Sequence, residues 1–497
     1  MNEIATATTG QPVSAISVAQ VKRVLEWWSS SQHFRDRVEE DPVACAAEYN
    51  LDFDLMPLRP LWDSELGIEM YNRGDAFHPA VLEYRAFYDS KTKWRDQIKE
   101  ECSPQEERFR KWRLRQVARN TFENGAYDEY IIHTPMAIEL TDGCTVGCWF
   151  CGVGATKFVD ALPYAENKED WRKTLHHLRD KTGTAGRWGF LYWATDPLDI
   201  PDYEDFANDF ADVFGIFPQT TTAQAHLHLD RLRDLLPMSE ARGCRVNRFS
   251  VLTEKSLKKI YEYFTPEEML NVEIVSQMKD ASVAKANTGD FRSLAAQREH
   301  VMEREKQKLK KTAKQIERTL EEDEDVSLVE PGTIACVSGF LLNMMSRTVK
   351  LISPCRASET WPLGYIVFDE MTFADADDLN DKLTLLIDRH MTTEITADMR
   401  MQFHPGLDLH ETEDGFILAS KLHAIALERP AYRDYVKMLG KLIGSGDRTA
   451  SQIALAGLYM HGVPEDNTLA TLNHLFDNGA LVDAHGRVAG QKGVIDQ

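Results

Sequence analysis

Cysteine is scarce in this 497-residue chain: there are eight, at positions 45, 102, 144, 148, 151, 244, 336 and 355. That is too few for a disulfide scaffold of this size, and it points to a reducing, cytoplasmic setting. Long apolar runs are missing too. None approaches the ~20 residues of a membrane span, and the stretch 1–17 has neither the basic region nor the apolar core of a secretory signal. Basic excess is absent: 57 Lys and Arg against 79 Asp and Glu leave a formal net charge of −22. A nucleic-acid binder needs the opposite footprint, so neither nucleic acid nor membrane is an expected partner. Core-forming material is plentiful, at 43% hydrophobic residues, and the length suits roughly two to four domains.

Residues 1 to about 14 are small and polar and read as frayed. From Ser17, the apolar positions Val18, Val21, Val24, Leu25 and Trp28 recur at helical spacing. Further helical patterns at 34–49 and 83–121 make 1–132 a helical N-terminal region. At 131 the character changes. Strand patterns at 136–140, 188–194, 215–222, 246–252 and 271–277 alternate with helical ones at 203–214, 226–236 and 254–264. Such β–α alternation predicts an α/β fold with parallel strands and right-handed crossovers over 133–400. Thr265 and Glu268 offer a capping box. The alternation breaks near Lys279, and 290–323 reads as one long solvated charged helix, an insertion spanning about 280–330. Strand signals return at 334–345 and 348–353. Over 401–497, a hairpin about Thr412–Gly415 and three short helices form a small winged-helix-like module. The second of these helices opens on a Thr449–Gln452 capping box.

Three of the eight cysteines fall within eight residues: Cys144-Thr-Val-Gly-Cys148-Trp-Phe-Cys151. Structural zinc takes four ligands, commonly as two Cys-x-x-Cys pairs, and no second pair follows. Three thiolates without a nearby fourth suit a four-iron cluster with one open iron, which can chelate a small molecule and pass it an electron. A zinc site completed by a distant His or Cys is the competing reading. Gly147 and Gly152 permit the tight backbone either needs.

The Cys-x3-Cys-x-aromatic-Cys spacing, with Phe150 at the aromatic position and a strand just before it, resembles the radical S-adenosylmethionine (SAM) superfamily. The resemblance covers about 133–370 and implies a partial (β/α)6 barrel. It further implies one [4Fe-4S] cluster on Cys144, Cys148 and Cys151, with SAM on the open iron. Ala194-Thr195-Asp196-Pro197 stands where the family carries a Gly-Gly-Glu-Pro-like segment that receives the SAM amino group. It departs from that segment, but Thr195 and Asp196 still offer oxygen acceptors. Ser250 is a candidate ribose contact, and Thr221 and Thr222 are candidate lining residues. No further cysteine group exists for an auxiliary cluster.

A lone thiol, Cys355, follows a late strand in Ser353-Pro-Cys-Arg-Ala-Ser358, and is expected on the side where active sites of such folds sit. A thiol can hand a hydrogen atom to a carbon radical. With Trp361-Pro-Leu-Gly-Tyr365, these segments resemble the radical SAM peptide epimerases of proteusin-type pathways, which act on ribosomally made, post-translationally modified peptides (RiPPs). The resemblance implies L-to-D conversion in a precursor peptide, with Cys355 as hydrogen donor and Cys336 and Cys244 as rivals. It also implies a flavodoxin- or ferredoxin-like electron donor. The C-terminal module is similar to a RiPP recognition element, which takes a leader peptide along a strand edge. The alternatives are a radical SAM cyclase forming a thioether or carbon–carbon crosslink, and a non-catalytic iron–sulfur or zinc scaffold.

Overall fold

The computed structural model describes residues 16–316 and 331–482. The expected frayed stretch 1–14 and part of the expected insertion, 317–330, lie outside the described residues. Helices α1 (Val18–Ser30), α2 (Gln32–Glu40), α3 (Pro42–Glu48), α4 (Ser64–Arg73), α5 (Pro79–Glu101) and α6 (Glu107–Asn124) come first. Then follow β1 (Thr134–Glu139), β2 (Thr141–Asp142), β3 (Asp160–Ala161), α7 (Tyr164–Thr182), α8 (Tyr203–Phe214), β4 (Thr221–Thr222) and α9 (Leu229–Ala241). Next are β5 (Asn247–Val251), α10 (Glu254–Tyr263), β6 (Val272–Ser276), α11 (Gly289–Gln297) and α12 (Glu299–Ile316). The chain continues through β7 (Val337–Asn343), β8 (Thr348–Pro354), β9 (Tyr365–Thr372) and α13 (Ala376–His390). It closes with β10 (Asp408–Glu411), β11 (Gly415–Ala419), β12 (Ala424–Glu428), α14 (Arg433–Ser445), α15 (Ala450–His461) and α16 (Glu465–Asp477).

These elements form two compact units, Met1–Asp96 with Arg248–Val283, and Gln97–Asn247 with Ala284–Gln497. They cut across the expected divisions at 132 and 400. The first unit is tied by polar groups that periodicity cannot reveal. Ser17 and Gln20 form a capping box at the start of α1, and Val21, Val24 and Trp27 bury its apolar stripe. On the same helix, the buried Lys22 ammonium reaches the carbonyls of Met269 (3.1 Å) and Val272 (2.6 Å). Glu26 accepts from Tyr261 Oη (2.6 Å) and the Ile274 N–H (3.0 Å). Stripping either charge would leave the other buried groups unpaired, so 248–283 joins the N-terminal helices. Thr265 and Glu268 do bond reciprocally, closing a turn rather than starting a helix.

The second unit is mixed α/β. Its largest sheet has the order β1-β7-β8-β9. β1 runs parallel to β7, whereas β8 is antiparallel to both β7 and β9. Only residues 344–347 join β7 to β8, and a parallel crossover needs a dozen or more. β8 is therefore not a parallel strand, and it ends beside the start of β7, so Cys355 follows it at the end of the sheet where β1 begins and not at the β1 exit, against the expectation that it sits on the active-site side. Two other expected strands are shorter. Within 188–194 there is a single parallel bridge, Ala137 to Phe190, and of 215–222 only β4 is extended. The sheet has two apolar faces. Met136, Ile138, Phe340, Leu351 and Phe368 pack under Trp112, Trp171 and the faces of α7, α8 and α13. Burying each large ring there is worth about 1.5–3 kcal/mol. Ala137, Leu341, Ile352 and Tyr365 form the other face, with Trp193, Cys336 and Leu363 against it.

Over its described part, 290–316, the expected long helix is two helices, broken at Arg298. It is not simply solvated, since Val301, Glu305 and Leu309 of α12 are buried. The C-terminal module is an antiparallel β10-β11-β12 meander backed by three helices, with the Thr449–Gln452 capping box in place. Only the β10–β11 hairpin was expected. β12 adds a third strand, and β10 and β12 are the sheet's exposed edges.

Candidate functional site

β1 ends on Glu139, a carboxylate closing an apolar strand. It is buried, which pushes its pKa up. Its Oε1 accepts the Ala194 N–H (2.8 Å) and its Oε2 the Asn343 amide (3.2 Å). These bonds join the exits of β1 and β7 to the segment after Phe190. The cysteine loop starts four residues on. Gly143 has φ +78° and passes so close to Lys157 that a Cβ would stand 2.4 Å from the Lys157 carbonyl oxygen. Cys144 then bridges to the returning chain through its N–H on Thr156 O (3.0 Å) and its carbonyl under the Phe158 N–H (3.2 Å). The Cys151 N–H donates to Cys148 O (3.1 Å), and the Ala155 N–H reaches Cys151 Sγ (3.2 Å).

All three cysteines are free and partly exposed. Burial pushes Cys144 up to about 12, with the Asp196 and Asp199 charges adding to it. Burial pushes Cys148 up to about 11, with Cys151 and Asp196 adding. A cation placed among these thiols would reverse that balance, because metal binding deprotonates thiols.

The Ala194–Asp199 segment braces this loop. Asp196, 3% exposed, is raised to about 6 by burial, even though it accepts from Leu198 N (3.0 Å), Thr222 Oγ1 (2.8 Å) and Ala223 N (2.7 Å). Asp199 accepts from Thr145 N (2.9 Å), Thr145 Oγ1 (2.5 Å) and the Gln224 amide (2.7 Å). Asp196 thus has a protein donor on each oxygen, which positions the segment and leaves acceptor capacity on Oδ2. Thr195 differs: its buried Oγ1 has no hydrogen-bond partner. Thr222 is committed to Asp196, and Thr221 Oγ1 donates to Tyr192 Oη (2.7 Å). Ser250 lies in β5, whose residues from Arg248 on belong to the other compact unit.

The donor set discriminates between metals. Among the described residues, no three His, Cys, Asp or Glu side chains close around a single metal ion. A zinc site would need a fourth ligand on the same centre, and this loop supplies three. An iron–sulfur cluster asks for one thiolate per iron, and three spread thiols on one loop meet that demand. The orphaned Thr195 hydroxyl, on the segment that braces the loop through Asp199, leaves a polar partner for a ligand of the open iron. The residues therefore fit such a cluster with a chelating small molecule.

From the far side, 288–290 grips the loop. Gly289 has φ +59°, and a Cβ there would stand 2.2 Å from Cys151 O, so glycine is required. The Asp290 N–H donates to Cys151 O (2.8 Å) and the Gly289 N–H to Pro362 O (2.8 Å). Thr288 Oγ1 lies 3.1 Å from Gly152 O and 3.2 Å from Pro362 O, bridging the cysteine loop to the segment after Cys355. Phe150 packs against Phe291, Ala295 and Val301 of α11 and α12. Its ring thus anchors the loop. Sequence reasoning missed Glu139, Asp199 and 288–290. A carboxylate ending an apolar strand was a visible signal, but nothing local marks Thr288-Gly289.

Cys355 sits at the start-of-β1 end of the sheet, its N–H on Gly364 O (2.9 Å). It is buried, and it follows the strand face on which Ser353 Oγ meets Arg119 Nη2 (3.1 Å) of α6. Burial pushes its thiol well up, Glu123 adds to this and Arg119 opposes it. The thiol lines a cavity of about 540 Å³ with Arg119, Glu123, Trp361, His404 and Phe476, so the C-terminal module forms one wall. Cys336 instead packs against the Ala137–Tyr365 face, while Cys244 is buried against Val246 O (3.5 Å).

No family model matches the chain. Among solved structures, that of BtrN in complex with AdoMet and 2-DOIA aligns with 29% of this chain and 57% of its own, at 14% identity and a TM-score of 0.23, a likeness too slight to carry an argument. Similarity in sequence is far stronger to the uncharacterized protein y4wI of Sinorhizobium fredii (strain NBRC 101917 / NGR234), 33% identical over 453 residues. That alignment takes in 89% of this chain and 83% of y4wI, and the chain belongs to the y4wI family.

Proposed function

We propose that this protein is a radical SAM enzyme that inverts L-amino acid residues in a ribosomally made precursor peptide. The catalytic core of the reading rests on the three thiols that follow the exit of β1, on a loop braced by Asp199, and on the unpartnered Thr195 hydroxyl of the bracing segment. Bound there, a four-iron cluster and S-adenosylmethionine supply a carbon radical able to remove a Cα hydrogen. The observation that favours epimerisation is the Cys355 thiol, held protonated by burial in a cavity walled by the C-terminal module. A hydrogen donor must carry its hydrogen. Returning it to the opposite face of Cα would leave a thiyl at Cys355, which regains its S–H with one electron from a flavodoxin- or ferredoxin-like reductant and one proton from solvent. Thr288 links the donor's segment to the cysteine loop, so the two halves of the chemistry share one scaffold. The C-terminal meander has the exposed strand edges a leader peptide requires.

One observation favours a second donor: Cys336 packs on the sheet face shared with Trp193 and Tyr365, opposite the face that carries Ser353. Anaerobic reconstitution with SAM and a precursor encoded near the gene, run in deuterated water, tests the function. Epimerisation adds about one dalton per inverted residue, because the new hydrogen comes from an exchangeable thiol. Loss of two hydrogens means a cyclase instead. Absence of 5′-deoxyadenosine means a scaffold.

A further inference from the structure

The cysteine loop presents two aromatic rings as well as its thiols, and a buried cation lies against both. Lys285 is 7% exposed. Its Nζ stands 4.9 Å from the ring centre of Phe150 and 5.7 Å from that of Trp149, the two residues between Cys148 and Cys151. Cations are drawn to aromatic faces, and more strongly once desolvated. The Lys285 N–H is fixed on Glu305 Oε2 (3.0 Å), and that carboxylate also meets Arg304 and Lys308, each at 3.2 Å. Glu305 thus holds the Lys285 backbone amide together with two side-chain cations, while the Lys285 ammonium brings its charge to the aromatic pair. The α11 amino terminus adds to it through the Asp290 N–H on Cys151 O.

We propose that Lys285 is a positioning residue for the iron–sulfur cluster: its cation pins the Trp149–Phe150 stretch and favours the reduced cluster over the oxidised one. The proposal rests on the reading of Cys144, Cys148 and Cys151 as cluster ligands. Its physical basis is simple. A one-electron reduction makes the cluster more negative, and a nearby cation in a partly desolvated setting stabilises that state. A residue that only filled space would pack as well without its charge.

The test is a redox titration of the reconstituted full chain with dithionite as one-electron donor, followed by the EPR signal of the reduced cluster. Lys285→Met keeps the stem and removes the charge. It should favour the oxidised cluster by about tenfold, a midpoint lower by about 59 mV for one electron, and Lys285→Arg should restore it. An unchanged midpoint in a fully loaded Lys285→Met protein overturns the proposal. If Lys285→Met fails to hold iron, its apo-protein unfolding curve and the Arg variant decide. Iron lost in Met but kept in Arg, with unfolding unaltered, supports the pinning role. Iron lost in both, or unfolding lowered, overturns it. A wild-type chain that assembles no cluster at all would sink the functional reading instead, and iron and sulfide content reads that separately.

Discussion

At the scale of single residues, two side chains carry the sharpest consequences. Thr195 has a buried hydroxyl without a partner, a cost of about 1–3 kcal/mol that a ligand can relieve. Thr195→Val, close in shape, should weaken SAM binding about tenfold while leaving the apo protein equally or more stable, as read by titration and thermal melting. Unaltered affinity would remove Thr195 from the ligand pocket. Cys355→Ala should keep 5′-deoxyadenosine formation and lose deuterium uptake into the peptide. If uptake persists in Cys355→Ala and vanishes in Cys336→Ala, the donor belongs to the other face of the sheet. The three thiols are legible as a proposed ligand set because such a set is local: spacing and the preceding strand single them out. The roles of Asp196 and Phe150 were only half legible. Both residue types suit a ligand, but Asp196 turns its oxygens to Thr222 and Ala223, and Phe150 packs against the cluster of Phe291, Ala295 and Val301. Those partners lie at least 26 residues away, beyond any local pattern.

At the scale of elements, the junction of α6 with the C-terminal module turns on Glu123. Its Oε1 meets Arg119 (2.5 Å) and His404 (3.2 Å), and its Oε2 takes the Arg356 N–H (2.9 Å). Burial pushes this carboxyl up, but Arg119 and His404 outweigh it and hold it at about 2, against 4.5 for a free glutamate. A depressed folded pKa contributes stability that is full above about 4.5 and is lost as pH falls towards 2. The size is about 3 kcal/mol. Melting curves from pH 7 to pH 3 should show that decline, and Glu123→Gln, less stable at neutrality, should show much less of it. An identical acid limb in both proteins would mean that Glu123 does not govern the junction. Element existence was largely legible: α8 spans the expected 203–214, and the Thr449 capping box opens α15. Strand direction was not inferred, although the four residues between β7 and β8 contained the answer. The break at Arg298 was hidden because charge is spread along both helices, and only the burial of Val301, Glu305 and Leu309 shows which face is turned inward.

At the scale of the second unit, a module with two exposed strand edges adjoins a cavity holding a protonated thiol, and the same chain carries the cysteine loop. An edge strand left open is a liability that proteins blunt unless it has a use. Strand addition by a leader peptide is such a use, and its energetic effect is tethering. On the proposed reading, a held leader would let the core residues sample the cavity at an effective concentration in the range of about 1 mM, set by the linker and not by free diffusion. Successive residues can then react without release. The expected outcome is specific. A core peptide lacking its leader should lose kcat/KM by about 10²–10⁴, mostly through KM, and leader added as a separate peptide should not restore it, because tethering is intramolecular. Steady-state kinetics with the fused, split and leaderless peptides measure this directly. Equal kcat/KM for all three would mean that the β10–β12 edges bind no leader, and that the module serves the cavity only as a wall.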